Sequence, residues 1–278
     1  DIKELRNQSD RYNQLYVKFI EKFGDNDVHF FSTPGRTEIG GNHTDHNAGI
    51  VLAGSVNLDS IAIAAKTDNN IITIYSEVFS EPFVVNTDDT EVNFSEEGTT
   101  TSLIRGIVAR FKQLNFLTGG FNACISSNVL IGSGLSSSAS IEVLIGTILN
   151  TFFNNAQISA EDIAIIGQYA ENEFFNKPCG LMDQMTCSVG GIISIDFKDS
   201  QKPLVRKVNF NFSTQNYSLI VIDTGGSHAD LTEDYASIPA EMKLVAQHLG
   251  ASAGREITQE DVYNNIKMLR QKSGDRAI

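Results

Sequence analysis

Ile131-Gly132-Ser133-Gly134-Leu135-Ser136-Ser137-Ser138-Ala139-Ser140 is a run of small residues that ends in an apolar stripe of helical period. Ile141, Leu144, Ile145, Ile148, Leu149 and Phe152 recur at that period, so the run reads as a loop opening a helix. The first turn of a helix has backbone N–H groups without intrahelical partners and the positive end of the macrodipole, a natural seat for an anion. Glycines at 132 and 134 let the backbone come close, and the serine hydroxyls add hydrogen bonds or a magnesium ligand. One reading is a phosphate cradle for a nucleotide. The other is a helix cap or a Gly/Ser linker, since serine caps helices well.

Other nucleotide cradles are excluded. No glycine is followed by lysine, so there is no GxxxxGK[ST] loop. No GxGxxG joins a strand to a helix. Asp196-Phe197 continues into Lys198, and His-Arg-Asp is missing, so protein-kinase signatures are absent.

Composition narrows the class further. The 278 residues suffice for one large or two ordinary domains. With 41% hydrophobic and 20% charged residues, the chain reads as soluble and globular. A net charge of −13 disfavours nucleic acid and anionic membrane as partners, because both call for a basic face. Cys124, Cys179 and Cys187 lack metal-ligand pairing and read as reduced thiols of a cytoplasmic protein. No apolar run reaches the length of a membrane span, and no signal peptide is visible. The chain opens at Asp1 and stops at Gly274-Asp275-Arg276-Ala277-Ile278 as a new apolar segment begins, which reads as a piece of a longer protein.

Along the chain, residues 1–23 read as an amphipathic helix with Tyr12, Leu15, Tyr16, Phe19, Ile20 and Phe23 on its apolar side. Val28–Ser32 reads as a short strand before a Pro34-Gly35 turn, and 35–49 as a loop. Val56–Lys66 and Ile71–Glu77 suggest a hairpin, and 85–100 a polar excursion. Ser102–Leu114 reads as a helix and Gly120–Ser126 as a strand. Ser159 and Asp162 form a capping signal for the helix after 159. Gly191–Phe197 and Tyr217–Asp223 read as strands, 239–249 and 258–272 as helices. The irregular mixture predicts an α+β fold.

Two further blocks carry chemistry. Gly35-Arg36-Thr37-Glu38-Ile39-Gly40-Gly41-Asn42-His43-Thr44-Asp45-His46-Asn47 is dense in side chains that grip hydroxyl groups. His43-x-Asp45-His46 also permits a metal, although it lacks the i, i+4 spacing of helical ligands. Pro178-Cys179-Gly180-Leu181-Met182-Asp183-Gln184 places a carboxylate among apolar neighbours. Asp183 is then either a desolvated proton-handling group or a helix cap. Glu171, upstream, reads by itself as a solvated helix residue.

Taken in order, the three blocks resemble the GHMP family of small-molecule kinases, within it the galactokinase branch. The first is similar to Gly-Arg-x-Asn-Leu-Ile-Gly-Glu-His-Thr-Asp-Tyr-Asn, with Asn42 where the pattern has glutamate and His46 where it has tyrosine. The second matches Gly-Leu-Ser-Ser-Ser-Ala in full, and the third matches Pro-Cys-Gly-Ile-Met-Asp-Gln except at Leu181. A weaker likeness covers Asp223–Tyr235.

The resemblance implies a two-domain fold, residues 1–190 as the N-terminal GHMP domain and 191–278 as the start of a C-terminal one, with the active site between domains. It implies transfer of the ATP γ-phosphoryl group to the anomeric hydroxyl of galactose, with Mg2+ as cofactor. Asp183 and Arg36 would be catalytic. Asn42, His43, Asp45, Gly180 and Tyr235 would contact the sugar. Gly132, Ser133, Gly134, Leu135, Ser136, Ser137 and Ser138 would surround the phosphates, and Ser138 and Glu171 would hold the metal. Asn42 leaves room for another hexose, a hexosamine or a pentose, and a non-catalytic sugar sensor is the remaining alternative. The family's glycine-rich third motif does not follow before Ile278, so these residues alone are expected to turn over little substrate.

Overall fold

The computed structural model describes residues 2–41, 43–200, 202–222 and 232–278, without the side chains of residues 2, 4 and 232–236. The chain divides into two compact units, Asp1–Arg36 with Ser55–Gly190, and Thr37–Gly54 with Gly191–Ile278.

Helix α1 (Ile2–Phe23) opens the first unit, and strand β1 (His29–Gly40) and the long strand β2 (Ile50–Lys66) follow, the first unit holding β1 up to Arg36 and β2 from Ser55. Then come β3 (Ile71–Ser76), β4 (Phe83–Asn86), α2 (Thr100–Gln113), β5 (Phe121–Ser127), α3 (Ser137–Phe153), α4 (Ala160–Glu173) and α5 (Met182–Val189). The strands lie in the order β4-β3-β5-β2, and β1 pairs with β2. β3 and β5 are parallel, whereas β3–β4 and β2–β5 are antiparallel, so the sheet is mixed.

Strand alternation sorts the two faces of this sheet. Ile61, Ile63 and Ala65 of β2 meet Leu15 and Phe19 of α1, both essentially buried. Ala62 and Ala64, between them, face a larger core. There Ile104, Ile107 and Phe111 of α2 pack with Val143, Leu144 and Ile148 of α3. Burying each such side chain contributes about 1.5–3 kcal/mol, and α3 buries Val143, Leu144, Ile145, Ile148 and Leu149 in this way. Helices α2 and α4 touch at Gly106, where a Cβ would lie 2.8 Å from both Cα and Cβ of Ala170. Ser159 Oγ accepts the N–H of Asp162 at 3.1 Å, the capping contact expected there.

In the second unit, Ile50–Gly54 of β2 pairs antiparallel with β6 (Ile192–Asp196), which pairs with β7 (Leu204–Lys207). Helices α6 (Thr232–His248) and α7 (Gln259–Ser273) follow. Thr258 and Asp261 close a reciprocal capping box on α7. Arg255 ties the unit together by pairing with Asp196 at 2.5 Å and donating to the Ala48 carbonyl at 2.8 Å.

Four local expectations change. Pro34-Gly35 does not turn the chain: β1 runs through both to Gly40, and proline's fixed φ is compatible with extended backbone. The expected loop 35–49 is therefore strand as far as residue 40. Residues 56–66 and 71–77 are not a hairpin, since β5 lies between β2 and β3 and pairs with both. The segment 217–222 has no strand pairing, and Asp223 lies outside the described residues.

Candidate active site

Arg36 sits where β1 passes beneath the serine loop. Its N–H donates to the Leu135 carbonyl at 2.9 Å. A Cβ on the preceding residue, Gly35, would stand 2.8 Å from that same carbonyl oxygen, so only glycine lets strand and loop approach this closely. The Arg36 side chain, 8% exposed, reaches Asp183 with Nη2 2.5 Å from Oδ1. Asp183 lies in the first turn of α5, whose N-cap is Leu181, so the carboxylate is not the cap residue. Its other oxygen, Oδ2, accepts the hydroxyl of Ser136 at 2.8 Å. Arg36, Ser136 and Asp183 thus form one hydrogen-bonded triad inside the first unit.

The loop itself explains why Ser136 is available. Gly132 and Gly134 have φ of 74° and 73°, and Ser136, at the N-cap of α3, has φ 63° and ψ 53°. In that left-handed state Ser136 makes no side-chain cap bond to its helix. The cap reading therefore fails in its usual form: the hydroxyl serves Asp183, and Ser136 does not cap the N-terminal amides of α3. Those amides are oriented for an anion.

Behind them lies a second cluster. Ser138 Oγ donates to Glu171 Oε1 at 2.9 Å. Glu171 is 2% exposed, which overturns its reading as a solvated helix residue. Lys177 Nζ also lies 2.8 Å from Glu171 Oε1. Gln184 Nε2 donates to Glu171 Oε2 at 2.7 Å and to Glu142 Oε2 at 3.0 Å. Glu142 is 1% exposed, and burial, reinforced by the charge of Glu171, pushes its carboxyl well above the usual range. Burial thus favours the protonated form of Glu142. Burial would push the Lys177 ammonium down, but the charge and hydrogen bond of Glu171 outweigh it and the net shift is upward. Burial, followed by the nearby carboxylates, raises the Cys179 thiol well above its usual value.

This donor set fits a magnesium ion. Mg2+ prefers hard oxygen ligands and is usually held by one or two carboxylates together with substrate phosphates. Ser138 Oγ and Glu171 Oε1 supply such oxygens beside the open end of α3. Among the described residues, no three His, Cys, Asp or Glu gather as a metal cage.

His43 and Asp45 belong to the second unit. His43, with φ 52°, precedes the short 3-10 turn Thr44–Asn47. Its N–H donates to Glu38 Oε1 at 3.0 Å, and its ring nitrogen lies 3.4 Å from Glu38 Oε2. Asp45, with a side chain only 7% exposed, accepts the N–H of His46 at 3.1 Å. Gly180 lies in the turn just before α5, and Tyr235 lies on α6. Asn42 and the side chain of Tyr235 are outside the described residues, as are residues 223–231 of the weaker likeness.

Sequence reasoning did not assign roles to Glu142, Lys177, Gln184 or Glu38. A signal existed for Glu142: it is a charged residue in the phase of Ala139, Val143 and Gly146, on a helix otherwise apolar there. Lys177 carries no such signal, because only the fold of residues 174–181 brings it back over α4.

Comparison with known proteins joins these blocks. The model for the N-terminal domain of GHMP kinases matches residues 102–191, which hold the serine loop, Glu171 and Asp183. A galactokinase galactose-binding signature matches residues 17–66, which hold Arg36, His43 and Asp45. The chain belongs to the GHMP kinase family. This GHMP kinase is 31% identical over 234 residues to a galactokinase of Pyrococcus furiosus, covering 83% of this chain and 62% of the relative. It is 27% identical over 262 residues to a galactokinase of Lactococcus lactis, covering 92% of this chain and 65% of the relative. A match to a Bacillus subtilis galactokinase, at 31% identity, takes in 62% of this chain and 44% of the relative. The chain thus spans less than two thirds of the length of these relatives. The solved structure of Lactococcus lactis galactokinase complexed with galactose superposes with a TM-score of 0.74 at 23% identity, covering 94% of this chain and 71% of that one. Methanococcus jannaschii mevalonate kinase superposes with a TM-score of 0.58 at 20% identity, covering 88% and 80%. Both likenesses show the shared fold. No described helix is long and apolar enough to cross a membrane.

Proposed function

We propose that the protein transfers the γ-phosphoryl group of ATP to the anomeric hydroxyl of galactose. The observation that carries this reading is the triad of Arg36, Asp183 and Ser136 at the mouth of helix α3. Phosphoryl transfer asks a protein for positioning and charge neutralisation more than for covalent chemistry. Asp183, fixed from one side by the guanidinium and from the other by a hydroxyl, orients the acceptor hydroxyl and takes its proton. Arg36 stabilises the charge on that carboxylate. The amides of Ser137, Ser138 and Ala139 receive phosphate oxygens. When bound, Mg2+ held by Ser138 and Glu171 would neutralise charge on the β- and γ-phosphates. Asn42, His43, Asp45, Gly180 and Tyr235 are the sugar contacts in this reading.

The test is ADP release with a panel of sugars at saturating MgATP. Galactose is the expected acceptor, and Asp183→Ala should lower its turnover by about 10²–10⁴-fold while sugar binding by equilibrium dialysis persists. Full turnover in that variant would overturn the assignment. Asn42, in place of glutamate in the sugar block, supports a second reading in which the preferred acceptor is another hexose, a hexosamine or a pentose. A greater than roughly tenfold preference for one of these, or about 1.4 kcal/mol, would favour it.

A further inference from the structure

Glu171 Oε1 is fully engaged in this structure, receiving Ser138 Oγ at 2.9 Å and Lys177 Nζ at 2.8 Å. The other oxygen is held by Gln184 at 2.7 Å. A cation arriving at Oε1 must displace one of its two donors. Ser138 can stay, because a hydroxyl donates its proton to the carboxylate while its oxygen keeps lone pairs for a metal. Lys177 cannot stay, because an ammonium has only donors and repels a divalent ion.

Lys177 is also placed there by its backbone. Its own N–H donates to the Glu171 carbonyl at 3.1 Å, and Asn176 before it takes φ 61°. Just after it, the Cys179 N–H donates to Asn172 Oδ1 at 2.7 Å. The segment is thus folded back on the end of α4, with the side chain standing over Glu171. The side chain is 46% exposed, so an outward route lies open, whereas Glu171 at 3% is fixed.

Building on the nucleotide-site reading above, we propose that Lys177 is a tethered internal cation: it neutralises buried Glu171 while the site lacks metal, and gives up Oε1 to the divalent ion that enters with the nucleotide. The exchange spares the protein a bare carboxylate beside Glu142, at the expense of metal affinity.

Binding of Mn2+ in the presence of ADP, followed by loss of the free-ion electron paramagnetic resonance signal, tests this without turnover. Lys177→Met should take up Mn·ADP about fivefold more tightly, the value of one half-exposed charge-assisted contact. Lys177→Arg, which keeps the cation, should bind as the unchanged protein does. Thermal melting of the metal-free protein should fall in Lys177→Met and converge with the unchanged protein on adding Mn·ADP. If Lys177→Met does not fold, Lys177→Gln removes the charge while keeping a donor and should show the same tighter uptake. Equal or weaker uptake in the uncharged variants would overturn the exchange, weaker uptake marking Lys177 as a nucleotide contact instead. Absence of uptake by every variant and by the unchanged protein would sink the nucleotide reading, and the exchange with it.

Discussion

Ser136 combines an unfavourable backbone with a useful hydroxyl. Its left-handed conformation is disfavoured for any residue with a Cβ, and its side chain serves Asp183 rather than the helix it opens. Two substitutions separate these effects. Ser136→Gly removes the strain, whereas Ser136→Ala retains it, so the glycine variant should be the more stable by about 1 kcal/mol in urea denaturation. Both lose the bond to Asp183, and both should turn over more slowly in the ADP-release assay. A stable glycine variant with undiminished turnover would show that the hydroxyl is dispensable.

Contacts between elements set how precisely the site is held. Helices α2 and α4 touch through Gly106, and a methyl group there would press on Ala170 backbone and on the Phe174 ring. Gly106→Ala should therefore cost about 1–3 kcal/mol by overpacking, despite the better helix propensity of alanine. Because α4 carries Glu171, the same variant should also weaken Mn·ADP uptake. At the start of α2, Arg105 grips Glu96 with Nε and Nη2, both at 2.8 Å, and the hydrogen bond from this guanidinium holds the Glu96 carboxyl below its usual range. A native pKa below the unfolded one means that this stabilisation is complete above the unfolded value near 4.5 and is lost as pH falls through the native value. Glu96→Gln should thus be less stable than the unchanged protein by about 1–2 kcal/mol at pH 7, and the gap should close in acid. A gap independent of pH would assign the loss to packing.

Across the whole molecule, the three thiols are protected rather than poised. Cys124 and Cys187 are each 2% exposed, and burial raises the Cys124 thiol to about 11. Cys179 and Cys187 are also pushed up, first by burial. A charged thiol reagent at pH 8 should react slowly with the native protein and with all three cysteines in denaturant; rapid native reaction would contradict this. The same scale shows what could be read from the chain. Local signals located α1, α2, α3 and the capped start of α4, because period and caps are written in neighbouring residues. The insertion of β5 between β2 and β3 was illegible, because strand order depends on contacts distant in sequence. The site divides in the same way. Arg36, Ser138 and Asp183 stand in recognisable blocks, whereas Lys177 acquires its place only through a left-handed Asn176 and a folded-back segment. From sequence Glu171 reads as solvated, because nothing in its own helix announces the partners it meets from α3 and α5.

Strand β1 imposes a counting rule on change in this chain. Phe31 and Thr33 are buried from β1, Thr33 donating to the Ser140 carbonyl at 2.8 Å, and Gly35 two residues on meets Leu135. Alternation by twos means that one inserted or deleted residue between 29 and 35 turns Arg36 to the opposite face of the strand. Length variation among descendants of this sequence should therefore avoid that stretch or come there only in even steps that preserve facing. Odd steps would be purged even where every side chain is kept.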